Sequence, residues 1–395
     1  MNLLTINAGS SSIKFAIFES SVSLKRLISG KIERIGSPAA KLVVTNHITQ
    51  SVESFFQSNS TSNYLSAIAL ITDWLKKEFS QRSIAAISHR VVHGGALFTT
   101  PQIISPLIMA ELRRLSPIDP EHLPNELLLI EALRHQFPEL NQIACFDTAF
   151  HSPLPRVAQM LTTPRRYEAN GLRRYGFHGL SYAFLMQKLH IIAGDKVANG
   201  RVILGHLGNG VSLAAVSSGQ PVDTSMGFTP SSGVAMSTRA GDMDPGLCSY
   251  LMRSEGLNTK QFNHLVNFES GLLGISETSS DMSELLRIQH SDYRASEAIS
   301  LFCYQIKKQI GAYAAAMGGL DTLVFSGGIG ENSPEIRSRI CDGLEFLGIQ
   351  LDAIMNLENA LMVSSNSARI PTYVIPTDEE QMMASMMQDV LNGSD

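Results

Sequence analysis

Two short, mostly apolar stretches, 3–7 and 13–18, bracket a glycine–serine turn at the start of the chain and predict a β-hairpin. Residues 24–35 and 41–49 are also strand-like. A helical spacing follows: in TSNYLSAIALITDWLKKEF, Tyr64, Ile68, Ile71 and Leu75 recur on one face, with Thr61 or Ser62 as the N-cap. SIAAISHRVVHGG reads as a buried strand running into a glycine-rich loop. LPNELLLIEALRHQF reads as an amphipathic helix, and NQIACFDT as a strand that ends on an acid. Strands and helices alternate, so the fold class is α/β.

The second half opens as the first does. RVILGHLGNGVSLAAVSSG is strand, glycine turn, strand, and Asn7-Ala8-Gly9 aligns with His206-Leu207-Gly208, 199 residues later and close to half the chain. Each half also ends in a strand followed by acids, at Phe146-Asp147 and at Pro376-Thr377-Asp378-Glu379. Between these lie a long helix, about residues 291–317, and TLVFSGGIGEN, a buried strand into a glycine turn with a new helix at Ser333-Pro334. No connecting segment is Pro/Ser-rich, so two closely packed halves with the active site in the cleft between them are expected.

Composition narrows the function. A chain of 395 residues calls for two domains of roughly 150–200 residues. A net charge of −5 and a pI near 6.1 ask for neither nucleic acid nor an anionic membrane. Cys145, Cys248, Cys303 and Cys341 are widely spaced and form no CxxC, which argues against a disulfide framework or a zinc site and for a reducing cytoplasm. The N-terminus has no signal-peptide pattern, and no uncharged apolar run reaches the ~20 residues that span a bilayer.

Backbone N–H groups in a Gly/Ser turn converge on phosphate oxygens, and hydroxyls add donors. NAGSSSIK offers Ser10, Ser11 and Ser12, with Lys14 in the next strand. Gly208-Asn209-Gly210 repeats the turn with an amide side chain, and Ser326-Gly327-Gly328-Ile329-Gly330 would let backbone approach a flat ligand such as adenosine. A single glycine turn is more often structural; three in this order point to a nucleotide. Phosphoryl transfer needs cations on the equatorial oxygens and a carboxylate-held metal ion. Candidates concentrate in SHRVVHGG (His89, Arg90, His93), ACFDTAFH (Asp147, His151), RRYGFHGLSY (His178), STRAGDMDPG (Arg239, Asp242, Asp244) and PTDEEQ (Glu379, Glu380). An arginine on an apolar strand is costly unless paired, which favours Arg90 and Arg239 as anion ligands. For His89, His93, His151 and His206 a hydrogen-bonded structural role fits equally well, and Asp242 and Asp244 could cap the turn before Gly246.

NAGSSSIK, HRVVHGG, FDTAFH, YGFHGLSY, LGNGVS, DTSMGFTP, TRAGDMDPG and SGGIGEN, in this order across residues 4 to about 380, resemble the acetate kinase and propionate kinase family. The resemblance implies the duplicated actin/hexokinase/Hsp70-ATPase-like (ribonuclease H-like) fold, two domains with a central cleft. The first domain would span 1–150 and be completed by a helix at about 379–395; the second, nucleotide-binding domain would span 151–378. It implies Mg²⁺-dependent phosphoryl transfer between ATP and acetate, with Mn²⁺ as an alternative ion, in a cytoplasmic homodimer. By motif, Arg90 matches the arginine holding the substrate carboxylate, Arg239 and His178 the groups on the transferring phosphoryl, and Asp147 the aspartate beside the reaction centre. Val92, Phe177 and Pro230 match the acyl pocket. Ser10, Ser12 and Lys14 match one phosphate region, and His206, Leu207, Gly208, Asn209 and Gly210 the second. Asp281, Gly328, Ile329, Gly330 and Asn332 match the adenosine contacts, and Asn7 and Glu379 the metal site.

Three departures stand out. The loop SPIDPEHLPN is two residues longer than the family's usual APLHNPxN, so His122, Asp119 or Glu121 could take the place of its histidine. Met282 and Ser283 replace a phenylalanine and an arginine, which implies a lost nucleotide contact. Asp378 replaces an asparagine and adds negative charge near the metal. Propionate or butyrate as acceptor, a sugar kinase with Asp147 as base, and an ATP-gated binding module on the same fold are the competing readings.

Overall fold

The strand–turn–strand patterns at residue 2 and residue 201 each form a hairpin, and each hairpin seeds a separate sheet. A computed structural model describes residues 1–9, 12–21, 23–33, 35–36, 40–56 and 63–393. The chain divides into two units, Met1–Phe150 together with Asp378–Asp395, and His151–Thr377.

The first unit holds β1 (Asn2–Ala8), β2 (Ser12–Ser20), β3 (Leu24–Glu33), β4 (Lys41–Asn46), β5 (Ser51–Phe56), β6 (Ile84–Val91), β7 (Gln102–Ile103) and β8 (Asn141–Phe146). They form one sheet in the order β5-β4-β3-β2-β1-β6-β8-β7. The first five strands are an antiparallel meander, and β1, β6 and β8 run parallel. Strand alternation sends Leu4, Ile6, Phe15 and Ile17 to one face. There Ile68, Ile71 and Leu75 of helix Tyr64–Gln81 and Leu129 and Leu133 of helix Leu123–Gln136 cover them. Each such fully buried aliphatic side chain contributes about 1.5–3 kcal/mol. Ala16 and Phe18 pack on the other face against Ala384 of helix Glu379–Leu391. Asn7 alternates with Ile6 and so shares its face with this last helix.

The second unit holds β9 (Arg201–Leu207), β10 (Val211–Ser217), β11 (Gln220–Thr224), β12 (Thr322–Ser326) and β13 (Thr372–Val374), in the order β11-β10-β9-β12-β13. This repeats the order β3-β2-β1-β6-β8 of the first unit, with the same parallel and antiparallel pairings. The fold is therefore duplicated.

Several expectations shift. Thr61 and Ser62 lie outside the described residues, and the helix beginning at Tyr64 is capped by Asn63. Its side chain accepts from the Ser66 N–H while Ser66 answers through a capping box. Strand β4 stops at Asn46, whose side chain accepts the Ile48 and Thr49 N–H groups and starts the turn into β5. Residues 327–332, read as an open turn, wind into a short helix directly after β12. The long helix spans Tyr293–Ala316 behind an Asp292 cap.

Candidate active site

Strands β6 and β8 end side by side, Val91 opposite Phe146, and the Asp147 N–H donates to the Val91 carbonyl at 3.0 Å. This register fixes Arg90 against Asp147. Arg90 Nη2 and Nε donate to Asp147 Oδ2 at 2.5 and 3.1 Å, and Nη1 donates to Asn7 Oδ1 at 3.3 Å. Asn7 passes the chain on, Nδ2 donating to Glu379 Oε2 at 2.7 Å. Desolvation opposes the charge on Arg90, but Asp147 and Glu379 outweigh it and push the guanidinium further up. Burial pushes the Asp147 carboxyl up, and the salt bridge to Arg90 acts against that rise. Arg90, expected to be open to a substrate carboxylate, thus spends three of its five N–H donors within the protein and keeps two. Asn7, expected beside a metal, has both ends of its amide engaged by Arg90 and Glu379.

The extended loop keeps a histidine at this cluster. His122 Nδ1 lies 2.9 Å from Asp119 Oδ1, and the nearby imidazole is among the groups that act against the rise of the Asp147 carboxyl. Asp378 is neutralised by Arg26, at 2.5 and 2.6 Å, and caps the last helix by accepting from the Gln381 N–H at 2.9 Å. Its extra charge is therefore compensated locally. Val92, buried at the end of β6, receives the side chain of Glu126 on its N–H.

A divalent ion fits this unit. Asp147 Oδ1 is buried and has no hydrogen-bond partner among the described residues, and the neighbouring Glu379 charge raises the Asp147 pKa. Unsatisfied carboxylate oxygen beside a second acid is hard-ligand chemistry. Mg²⁺ commonly takes one or two carboxylates and completes its shell with substrate phosphates and water.

In the second unit the chemistry gathers on the β9–β10 turn. His178 precedes helix Gly179–Ala193 with φ +58°, a left-handed conformation that costs a non-glycine residue on the order of 1–3 kcal/mol. Its Nδ1 lies 2.9 Å from Ser212 Oγ, which also bonds the Tyr182 hydroxyl, and its ring stacks on His206 at 4.2 Å. His206 Nδ1 is held by Ser181 Oγ at 2.9 Å, and Ser181 in turn bonds Thr377. The other edge of the His178 ring faces Gly210: a Cβ there would stand 3.1 Å from His178 Nε2 and 3.7 Å from Arg239 Nη1. Arg239 Nη1 also donates to the carbonyl of buried Pro230 at 3.2 Å. The Ser237 N–H donates to the Asn209 carbonyl at 3.2 Å, tying the arginine loop to the turn. Gly271, with φ +61°, lets this loop close, since a Cβ there would sit 2.2 Å from the Met236 carbonyl oxygen.

Gly327 also requires its lack of a side chain. Its φ is +75°, and a Cβ would stand 2.8–2.9 Å from the Leu207 backbone. Glu331 Oε1 accepts from the Gly327 and Thr377 N–H groups at 2.8 and 3.1 Å. Fully buried Arg337 donates to the Gly330 and Glu331 carbonyls at 2.8 and 3.1 Å. A Cβ on Gly328 would meet nothing within 4 Å, so its face is open. Asn332 Nδ2 turns back onto the Gly328 carbonyl.

Other expected residues have local duties. Asp281 caps helix Met282–Ile288, accepting from the Ser283 and Glu284 N–H groups at 2.8 and 3.0 Å. Asp244 caps helix Pro245–Ser254, and Asp242 accepts from the Gly233 N–H. His89 pairs with Gln142 and His151 with the carbonyl of buried Phe177; burial pushes both imidazoles down to about 4, so they are neutral and structural. Lys14 is exposed, opposite Asn7 in the β1–β2 register, and the Ser12 carbonyl closes the first turn by accepting the Gly9 N–H at 2.7 Å. Ser10 and Ser11 lie outside the described residues. Sequence reasoning missed Ser181, Tyr182, Ser212, Glu331, Arg337 and Glu126, all of which hold a functional candidate. The one available signal was an arginine, Arg337, inside an otherwise apolar helix face.

A duplicated α/β fold, with donor and cation converging on a glycine turn, defines a phosphotransferase, and relatives place its acceptor among carboxylates. The model of the Acetokinase family matches residues 2–385. An acetate kinase of Rhodopseudomonas palustris (strain TIE-1) is 41% identical over 396 residues, covering 99% of this chain and 98% of that one. A propionate kinase of Citrobacter rodentium (strain ICC168) is 41% identical over 387 residues, covering 97% and 95%. The crystal structure of a propionate kinase from Francisella tularensis subsp. tularensis SCHU S4 superposes with a TM-score of 0.90 at 33% identity, covering 98% of each chain. The chain belongs to the acetokinase family.

Proposed function

We propose that the chain transfers the γ-phosphoryl group of ATP reversibly to acetate, giving acetyl phosphate and ADP by direct in-line displacement. The observation that carries this reading is the convergence of His178 Nε2 and Arg239 Nη1 on Gly210 of the second glycine turn. A carboxylate nucleophile is already ionised at neutral pH and needs no general base, so the site has only to hold charge and geometry. Arg239 and His178 stabilise the phosphoryl group in flight, and Ser212 fixes which imidazole nitrogen faces it. Arg90 presents its two remaining N–H groups to the acyl carboxylate, Asp147 fixing the plane of the fork. Val92, Phe177 and Pro230 are the residues this reading assigns to the acyl methyl.

The turn residues His206, Leu207, Gly208, Asn209 and Gly210 receive the ATP phosphates, with Ser10, Ser12 and Lys14. Gly328, Ile329, Gly330, Asn332 and the Asp281 segment receive the adenosine. Glu379 and Asp147 hold Mg²⁺, with Asn7 orienting Glu379; the ion supplies charge neutralisation on the phosphates. Propionate is the second reading, favoured by the equal identity to a propionate kinase; β-branched, buried Val92 favours the smaller acid. A homodimer in the cytoplasm completes the proposal, supported by exposed Phe346, Ile354, Leu357 and Leu361 on the second unit.

Hydroxylamine trapping of acyl phosphate across acetate, propionate, butyrate and glucose tests the reading. Acetyl hydroxamate should form fastest, and glucose should consume no ATP. Arg239→Ala and His178→Ala should each lower turnover by about 10²–10³ at saturating substrate. Near-full turnover in Arg239→Ala, or a pure KM effect in His178→Ala, would overturn the assigned roles.

A further inference from the structure

The ladder between β6 and β8 ends at Val91 opposite Phe146, and Asp147 takes the last strand carbonyl. The Val92 N–H therefore lies past the sheet, in a place where burial leaves it no water. Glu126 answers it: Oε1 and Oε2 accept this single N–H at 3.3 and 3.1 Å, and both residues are only 2% exposed. Glu126 sits in the first turn of helix Leu123–Gln136, whose Leu123, Leu127 and Ile130 pack on Val91 and Phe146. The clamp is thus mounted on a rigid, well-packed element. An apolar residue here would spare the desolvation of a carboxyl group but would leave the buried Val92 N–H without its acceptor. What it supplies is a fixed acceptor at a backbone position between the cationic residue Arg90 and the glycine loop.

We infer that Glu126 is a positioning residue for the acyl pocket: by holding the Val92 N–H beyond the sheet end it fixes where the Val92 side chain stands, and so sets the chain length of the carboxylate accepted. The inference rests on the reading that Val92 lines that pocket.

The groups around Glu126 come from four elements. They are Arg90 on β6, Asp147 after β8, Asp119 in the segment leading into the helix, and Tyr64 at the start of helix Tyr64–Gln81. The Tyr64 hydroxyl and Asp119 Oδ2 are buried, with no hydrogen-bond partner among the described residues. Burial pushes the Glu126 carboxyl well above the ordinary carboxylate range, Arg90 pulls it back, and Asp119 and Asp147 raise it again.

The test uses the full chain with Glu126→Leu, Glu126→Gln and, as a check on the underlying reading, Val92→Ala. Glu126→Leu should raise the KM for acetate about tenfold and cut the acetate-over-propionate preference at least about threefold, with the KM for ATP within about twofold. Glu126→Gln keeps a neutral acceptor. It should match the parent both in acetate KM and in acetate-over-propionate preference, which a loss of packing alone would not predict. If Val92→Ala shifts chain-length preference and Glu126→Leu does not, the inference fails by itself. If Val92→Ala leaves preference unmoved, the pocket reading fails and takes the inference with it. Should Glu126→Leu not fold, Glu126→Asp decides, because it withdraws the acceptor from the Val92 N–H by one methylene: an acetate KM and chain-length preference identical to the parent's overturn the proposal.

Discussion

Adding one methyl group at Gly210 should separate catalysis from folding. The new Cβ would stand 3.1 Å from His178 Nε2 and 3.2 Å from Cε1, inside the ~3.5–4.0 Å of an ordinary non-bonded contact. The ring has nowhere easy to go. Nδ1 is held by Ser212 at 2.9 Å, the opposite face stacks on His206, and the backbone is already left-handed. Restoring normal contact takes a displacement of about 0.4 Å. Misplacing a catalytic group by ~1 Å costs roughly 10²-fold, and losing a donor outright about 10²–10³-fold. A fall of about 10- to 100-fold in kcat is therefore expected for Gly210→Ala.

Gly210 does not have a positive φ, so alanine fits its backbone and Tm should move by less than about 3 °C. Gly208→Ala, whose Cβ would stand 3.5 Å from its nearest neighbours, is the matched control and should lose less than about threefold. The assay is initial rate with both substrates saturating, by hydroxamate trapping, beside a thermal melt. Equal, small losses in the two variants would refute the idea that His178 works from a fixed position against this turn. So would a change confined to the KM for ATP.

Gly327→Ala and Gly328→Ala should diverge in the opposite sense. The first forces a Cβ against the Leu207 backbone at a positive φ and should destabilise by more than about 2 kcal/mol, read from the urea midpoint; the second should fold normally and raise the KM for ATP. Acid lability should begin early, because His89 and His151 are held near pKa 4 in the folded state against about 6.5 unfolded. Their stabilisation is complete above pH 6.5 and is lost as pH falls toward 4, on the order of 3 kcal/mol for each. Urea midpoints that stay flat from pH 7 to pH 5 would contradict this.

The hairpins, the half-chain repeat and the polar residues at strand ends were legible because short apolar runs and glycine turns are local properties. Arg90 and Asp147 were legible as candidates for the same reason: a charge at the end of an apolar strand has few other uses. Their pairing was not, since it depends on Val91 lining up with Phe146 across 55 residues of sequence. Thr61, Ser62 and Asn63 are three capping residues in a row, and only the reciprocal bond with Ser66 selects the third. The 327–332 segment looks like a turn because of its glycines. It winds into a helix because Glu331 and Arg337, a turn or two further on, engage its N–H and carbonyl groups. Glu126 was the least visible. In LPNELLLIEAL an acid reads as the solvent face of an amphipathic helix, yet packing on both Val91 and Phe146 turns that position toward a strand end.

The duplication explains why one scaffold carries two kinds of chemistry. In both sheets the first strand pairs antiparallel with the second and parallel with the fourth in the repeat, so Asn7 and His206 occupy matching positions, as do Arg90 and Ser326. The first unit fills these positions with an amide and a guanidinium, and both lead to the acids Asp147 and Glu379. The second fills them with an imidazole and a hydroxyl. Beyond Ser326 the chain enters a glycine-led helix held by Glu331 instead of presenting a cation. A site that must grip a small anion keeps the charged version, because two free N–H groups on a braced guanidinium give direction as well as charge. The second copy keeps these two strand ends neutral, which leaves glycine backbone open to close approach, and its cation, Arg239, comes instead from a separate loop beside Gly210. Divergence of the two copies at two matched strand-end positions is thus enough to give one repeated motif a charged version and a neutral version.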